Sequence, residues 1–199
     1  MKKLRLGKFS ILCVVLGLAL MLSSLAIWAV SAVSAEQANK NARVILEQAI
    51  VMMPQATDQV PEERGNNAMA AMEIDGVNIA GVLEVEKYGA ELPLAASWDK
   101  GLVSSMPCRF TGSIYDSSLI IGAVDSEGQF SFASQMNVND TIVLTDMEGG
   151  RYTYRVETIQ HAKHATRNKL QQGDYALTIF VKDSRNSQYL LIRCNPTFG

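Results

Sequence analysis

The pattern of hydrophobic and polar residues divides the chain into three parts. Phe9–Ala35 contains no charged residue, and a helix that crosses a bilayer needs about 20 apolar residues. Glu36–Met53 has the apolar spacing and the residue types of a helix, and Pro54 ends it. From Met72 onward, short apolar runs alternate with turn residues. This last part therefore predicts a mostly β domain.

Short strands recur at regular intervals along this domain. An acidic, glycine-containing link, Asp146–Gly150, predicts a hairpin between two of them. Many short strands of this kind are typical of a closed or nearly closed β-barrel, and short helical pieces fit at 99–104 and 130–136. The predicted strands are Ile79–Val85, Ser118–Gly122, Thr141–Thr145, Arg151–Val156, Asp174–Lys182 and Gln188–Cys194.

Charges around the first apolar run predict its orientation. Lys2, Lys3, Arg5 and Lys8 precede it, and basic residues favour the cytoplasmic side of a membrane. A cleaved signal peptide is the alternative, with a small-residue cleavage site at Ala35, but its apolar region usually spans about 7–15 residues. We therefore expect a single-pass anchor with the C-terminal domain outside the cell.

The expected organisation follows from these three parts. A basic cytoplasmic tail covers 1–8, the transmembrane anchor 9–35, a helical stalk and linker 36–71, and the barrel domain 72–199. The formal net charge of −2 gives no indication of a nucleic-acid partner.

Three cysteines and two histidines are the remaining candidates for chemistry. Cys13 lies in the apolar run, whereas Cys108 and Cys194 would face an oxidising exterior, where they either pair or stay as buried thiols. His161 and His164 are three residues apart without an acidic or thiol partner at a convincing spacing. We expect no metal and no cofactor.

Several motifs of the barrel domain occur in the order and spacing of one known family. They include a Glu-Leu-Pro turn at Glu91–Pro93, a Pro-Cys-Arg segment at Met106–Ser113, and Leu119–Ala123, which fits the family strand that ends in Gly-His. They also include the hairpin Thr145–Tyr154 and the strand Leu177–Lys182. Together they resemble the class B-like sortases of Gram-positive bacteria, which are membrane-bound cysteine transpeptidases. The resemblance implies a sortase-type closed β-barrel with short helices, preceded by an N-terminal transmembrane helix.

The same resemblance indicates that the catalytic residues are replaced. Ala123 stands where the family has its histidine, Lys182 where it has its cysteine, and Tyr189 where it has its arginine. The family's reaction needs a sulfur nucleophile that later leaves as a thiolate. We therefore expect a degenerate member, a pseudo-sortase.

Two functions remain open at this point. The first is a non-catalytic, membrane-anchored domain that binds peptides or assists in anchoring or assembling surface proteins. Its expected partners are a surface or pilus-type protein with a sorting signal, or an active sortase. The alternative is an active sortase-type transpeptidase or hydrolase that uses non-standard residues.

Overall fold

A computed structural model describes residues 8–55, 57–58, 68–183 and 186–197. The chain divides into two units, Met1–Ala38 and Asn39–Gly199. Residues 1–7 of the predicted tail and residues 59–67 of the predicted linker lie outside the described residues.

The N-terminal part of the chain forms a helix, as the sequence pattern predicts. Helix α1 (Lys8–Met52) continues through the predicted anchor and stalk, and the chain leaves it just before Pro54. In the first unit, the apolar side chains described between Val15 and Trp28 are 60–71 % exposed. No helix in the described part of the chain is long and apolar enough to cross a membrane.

The second unit is built mainly from strands. The described residues contain two minor strands, β1 (Thr57–Asp58) and β2 (Met72–Ile74). A four-residue helix, α2 (Arg167–Leu170), lies between the last long strands, and 3-10 turns occur at Glu86–Tyr88, Leu102–Ser104 and Ala133–Gln135. The main strands are β3 (Val77–Val85), β4 (Ala90–Ala95), β5 (Cys108–Thr111), β6 (Leu119–Val124), β7 (Thr141–Asp146), β8 (Gly150–Ala162), β9 (Leu177–Lys182) and β10 (Tyr189–Pro196).

These main strands close into a barrel, as the sequence predicts. Their order is β3-β4-β5-β6-β9-β10-β8-β7, and β7 returns to β3. Most neighbours share long ladders, but β4 and β5 share one residue pair, Ala95 with Cys108. The barrel is therefore closed, with a weak junction between β4 and β5.

Side chains alternate between the inside and the outside of the barrel. Leu119, Ile121, Leu177, Ile179 and Ile192 belong to the buried interior cluster. A second cluster lies outside, where Ala42, Ile45 and Ala49 of α1 pack against strands β3 and β4 and the start of β5. A third, around Phe180, covers the outer face of β6, β9 and β10. Strand β6 is thus apolar on both faces because both faces are covered.

One sequence expectation is wrong within the barrel. Glu91–Pro93, expected as a turn, lies inside strand β4. Leu92 and Leu94 point into the interior cluster, and this burial favours the strand. Pro93 is tolerated because its missing N–H falls on the side of β4 away from β3.

Candidate functional site

The three positions singled out by the sequence resemblance lie at the ends of adjacent strands. Lys182 at the end of β9 stands directly opposite Tyr189 at the start of β10. Ala123 of β6 pairs in register with Val181, one residue before Lys182. The parallel pairing of β6 with β9 and the antiparallel pairing of β9 with β10 therefore bring the three backbones together, as the resemblance implies.

Their side chains do not all point to the same side of the sheet. Ala123 is 2 % exposed and packs in the barrel interior with Val181 and Leu190. Lys182 is exposed, and Tyr189 packs with the outer cluster, its ring 6.3 Å from that of Phe180. Because successive side chains of a strand alternate, Lys182 and Tyr189 share the outer face and Ala123 faces the opposite side.

Backbone hydrogen bonds hold Asp183 and Gln188, which lie next to the ends of β9 and β10. The Asp183 N–H donates to the Gln188 carbonyl at 2.8 Å, and the Asp125 N–H donates to the Lys182 carbonyl at 2.9 Å. These bonds fix the end of β9 between the ends of its two neighbours.

Aromatic rings fill the outer face just below Lys182. Trp98, Phe110 and Phe180 have ring centroids 5.5–5.6 Å apart. They lie over Gly122, where an added Cβ would be 2.3 Å from the Trp98 ring and 2.5 Å from the Phe180 ring. The absence of a side chain at position 122 is thus what allows the rings to cover this part of the sheet.

A small hollow lies at the end of the barrel beside Tyr189. Its volume is about 30 Å³, and His161, Asp125, Asp183 and Ser134 line it together with Tyr189. From the sequence, His161 was considered only together with His164 as a metal ligand. The extension of β8 to Ala162 instead places it across from Leu190. The alternating pattern of β8 could have indicated this extension, but the predicted strand ended at Val156.

A larger groove lies at the other end of β6 and β9, on the same outer face. It has a volume of about 450 Å³, and Thr111, Ser118, Tyr175 and Thr178 are among its lining residues. Polar and apolar residues share its lining, and among the described lining residues only Asp174 is charged. An extended peptide fits such a surface better than a compact charged ligand does.

One wall of this groove is the loop between β8 and β9, and buried Arg193 holds it. The Arg193 guanidinium donates to the carbonyls of Lys169 and Gln172 at 2.8 and 2.7 Å. Its Cζ lies 5.2 Å from the centre of the Tyr175 ring. Arg193 of β10 therefore fixes the position of the loop between β8 and β9.

The two cysteines of the barrel are free thiols in the core. Cys108 and Cys194 are both fully buried and not bonded to each other. Burial raises the pKa of the Cys108 thiol to about 11, and burial also raises the pKa of Cys194. A thiol acts as a nucleophile through its thiolate, so neither cysteine is poised for catalysis at neutral pH.

No cluster of three or more His, Cys, Asp or Glu side chains suited to a metal occurs among the described residues. His161 and His164 are both exposed, the first at the end of β8 and the second in the loop that follows.

Comparison with known proteins identifies the fold. No family model matches the sequence, and no curated protein matches it. Solved structures do match. Sortase C1 from Streptococcus agalactiae is 21 % identical over 63 % of this chain and 71 % of its own, with a TM-score of 0.54.

Two further structures match over more of the chain. Sortase C from Clostridium perfringens SM101 is 14 % identical, with a TM-score of 0.55, over 83 % of this chain and 90 % of its own. Sortase A from Corynebacterium diphtheriae is 14 % identical, with a TM-score of 0.56, over 83 % and 85 % of the two chains. Together with the closed eight-stranded order of the described barrel, these matches establish that the chain has the sortase fold.

Proposed function

We propose that this protein is a non-catalytic, membrane-anchored pseudo-sortase that binds extended peptides and assists in anchoring or assembling surface proteins. The observation that carries the proposal is the content of the three positions at the ends of β6, β9 and β10. A buried methyl group, an exposed ammonium and a packed phenol occupy them.

None of these groups supports the family's reaction. An acylated amine at Lys182 would be a stable amide rather than a thioester that an amine resolves. Tyr189 offers a neutral hydrogen bond in place of a cation that stabilises an oxyanion. Ala123 has no titratable group for acid–base work.

The groove around Thr178 supports the peptide-binding part of the proposal. It runs along the outer face of β6 and β9, and its hydroxyl groups and backbone suit a neutral extended segment. We propose that the ligand is a sorting-signal segment of a surface or pilus-type protein, or a segment of an active sortase.

The sequence supports the membrane part of the proposal. Phe9–Ala35 has no charge and follows four basic residues. The exposed apolar side chains of α1 between Val15 and Trp28 agree with a lipid environment. The barrel would then face the exterior of the cell, with the N-terminus in the cytoplasm.

The test uses the full chain in nanodiscs and a Leu-Pro-Ala-Thr-Gly peptide with an amine acceptor. We expect chemical-shift changes at Tyr175 and Thr178, with neither cleavage nor transfer of the peptide detected by mass spectrometry. Tyr175→Ala should weaken binding of the peptide. Tyr88→Ala, the same change at a residue outside this groove, should not.

Two results would contradict the proposal. Turnover of the peptide by the unmodified protein would favour an enzyme with non-standard residues, and its loss on alkylation of Cys108 or Cys194 would identify the nucleophile. Absence of shifts at the groove up to about 1 mM peptide would rule out peptide binding there, since this concentration corresponds to a binding energy of only about 4 kcal/mol.

A further inference from the structure

Strand β4 has a free edge where it meets β5. The Ala95 N–H donates to the Pro107 carbonyl across this junction, while the Ala96 N–H donates to Asn78 of β3 on the other side. Backbone groups of alternate residues point to the same edge of a strand. The backbone groups of Glu91 and Pro93 therefore point toward β5, but within the described chain the ladder there ends at Ala95.

The unpaired groups on this edge are one donor and two acceptors. Glu91 presents its N–H and its carbonyl, and Pro93 presents only a carbonyl because it has no N–H. Alternation along the ladder assigns the β3 side to Ala90, Leu92 and Leu94, and outside the strands no described residue bonds to the backbone of Glu91 or Pro93. An extended chain that lies beside β4 would pair with all of them.

A cleft of about 230 Å³ runs along the same edge, from Gly89 to Pro93. The end of α1 with Arg43 forms one wall, and the segment containing Gln129 forms the other. The edge spans roughly 13 Å, at about 3.3 Å per residue. The cleft is thus shaped for a few residues of extended peptide rather than for a compact ligand.

The wall adds another acceptor. Gln129 is 3 % exposed, its Nε2 donates to the Val103 carbonyl at 3.3 Å, and its Oε1 has no partner among the described residues. Arg43 on the opposite wall supplies donors, so the cleft offers a peptide backbone both acceptors and donors.

The charge of Glu91 favours a cationic side chain on any peptide that lies beside it. Glu91 pairs directly across the strands with Glu84, and like charges in that arrangement are unfavourable. Burial and the Glu84 carboxylate raise the pKa of Glu91. A cation placed on the other side of Glu91 by an added strand would relieve this repulsion.

We propose that the cleft along Gly89–Pro93 is a β-augmentation site for an extended peptide that places a lysine or arginine beside Glu91. The site is separate from the groove around Thr178 and does not depend on the proposed function. The partner contributes a strand to the β4 edge, and its basic side chain pairs with the Glu91 carboxylate.

The test uses the full chain in nanodiscs and two capped heptapeptides, Thr-Val-Thr-Lys-Thr-Val-Thr and the same peptide with Glu at the centre. We expect the lysine peptide to bind about fivefold more tightly than the glutamate peptide, as cross-strand charge pairs allow. The Glu91 amide should become protected from hydrogen exchange on binding. A lysine peptide with N-methyl groups on alternate amides should not bind, because it cannot form the ladder.

A charge reversal provides the matched comparison. Glu91→Lys should reverse the preference in favour of the glutamate peptide. Glu86→Lys, the same change at an exposed residue outside the cleft, should keep the original preference within twofold. Circular dichroism checks that each variant is folded.

Three results would overturn the inference: no binding of either peptide up to about 1 mM, equal binding of both by the unmodified protein, or an unchanged preference in Glu91→Lys. Shifts confined to Tyr175 and Thr178 would place binding at the other groove and also overturn it. Binding of the sorting-motif peptide should be unaffected by Glu91→Lys, so failure of one proposal is distinguishable from failure of the other.

Discussion

At the scale of single residues, the packing of the outer face below Lys182 depends on the absence of a side chain at Gly122. Trp98 and Phe180 occupy the space that a Cβ at this position would need. Phe180 is 5 % exposed, whereas Trp98 is 37 % exposed and has more freedom to move. The arrangement places aromatic rings, rather than polar groups, beside the end of β9 at Lys182.

We predict that Gly122→Ala displaces the Trp98 ring and lowers the free energy of unfolding by about 1–3 kcal/mol, the usual cost of overpacking. Trp98 fluorescence, followed in a Trp28→Phe background, should shift to longer wavelength. Adding Trp98→Ala should recover part of the lost stability, because the clash with the Trp98 ring disappears while the one with Phe180 remains. Additive losses in the double variant would show that the two residues do not compete for the same space.

The buried thiol of Cys108 gives a second residue-scale prediction. Its pKa is about 11 in the folded protein and about 8.5 in an unfolded chain. The folded state therefore retains a proton that the unfolded state loses. This contribution to stability is complete below pH about 8.5 and is lost as the pH rises through 11.

Urea denaturation between pH 8 and 11 measures this dependence. The free energy of unfolding should fall with pH, and Cys108→Ala should make the fall less steep. Cys194 contributes in the same direction, so some dependence should remain. A variant with the same slope as the unmodified protein would show that Cys108 ionises equally in both states.

At the scale of elements, the loop between β8 and β9 is held by β10. Arg193 is 4 % exposed, and its guanidinium donates to two carbonyls of this loop. Tyr175 covers the cation from the loop side. The wall of the Thr178 groove is therefore tied to the barrel at one buried side chain.

We predict that Arg193→Met lowers the free energy of unfolding by about 2 kcal/mol, since hydrogen bonds from a charged donor each contribute about 1.5–3 kcal/mol. Amides of residues 167–176 should exchange faster with solvent. Arg155→Met, the same change at an exposed position of β8, is the matched control and should change neither quantity. Unchanged exchange in Arg193→Met would mean that other contacts hold the loop.

At the scale of the whole molecule, barrel closure decides what the ends of β6, β9 and β10 present to solvent. Register places Lys182 opposite Tyr189, and closure turns Ala123 toward the interior. Restoring the family's residues therefore has different consequences at the three positions.

We predict that Lys182→Cys with Tyr189→Arg changes the free energy of unfolding by less than about 1 kcal/mol, because neither side chain is fully buried. Adding Ala123→His should cost a further 1–3 kcal/mol or more, since an imidazole must enter a packed interior. Thermal unfolding of the two variants measures the difference. Equal stability of the two variants would show that a histidine at position 123 can be accommodated without entering the packed interior.

Much of the fold could be predicted from the sequence because it depends on local residue patterns. Leu177–Lys182 is a strand in any context that buries both of its faces, and the Asp146–Gly150 hairpin depends on neighbouring residues alone. The end of β8 was missed because Glu157–Gln160 is mostly polar, and pairing with β10 extends the strand to Ala162. The Glu91–Pro93 turn, taken from the resemblance to the family motif, was wrong because the segment pairs with Val82–Glu84 of β3.

Local hydrophobic period and residue chemistry were enough to predict the helix and six of the eight main strands of the described barrel, and to identify the residue types at Ala123, Lys182 and Tyr189. These features require no long-range information. Strands β4 and β5, the face on which Ala123 lies, the rings that cover Gly122 and the free edge of β4 came from the tertiary structure alone. These depend on strand register and barrel closure, which are set by contacts between residues far apart in the chain.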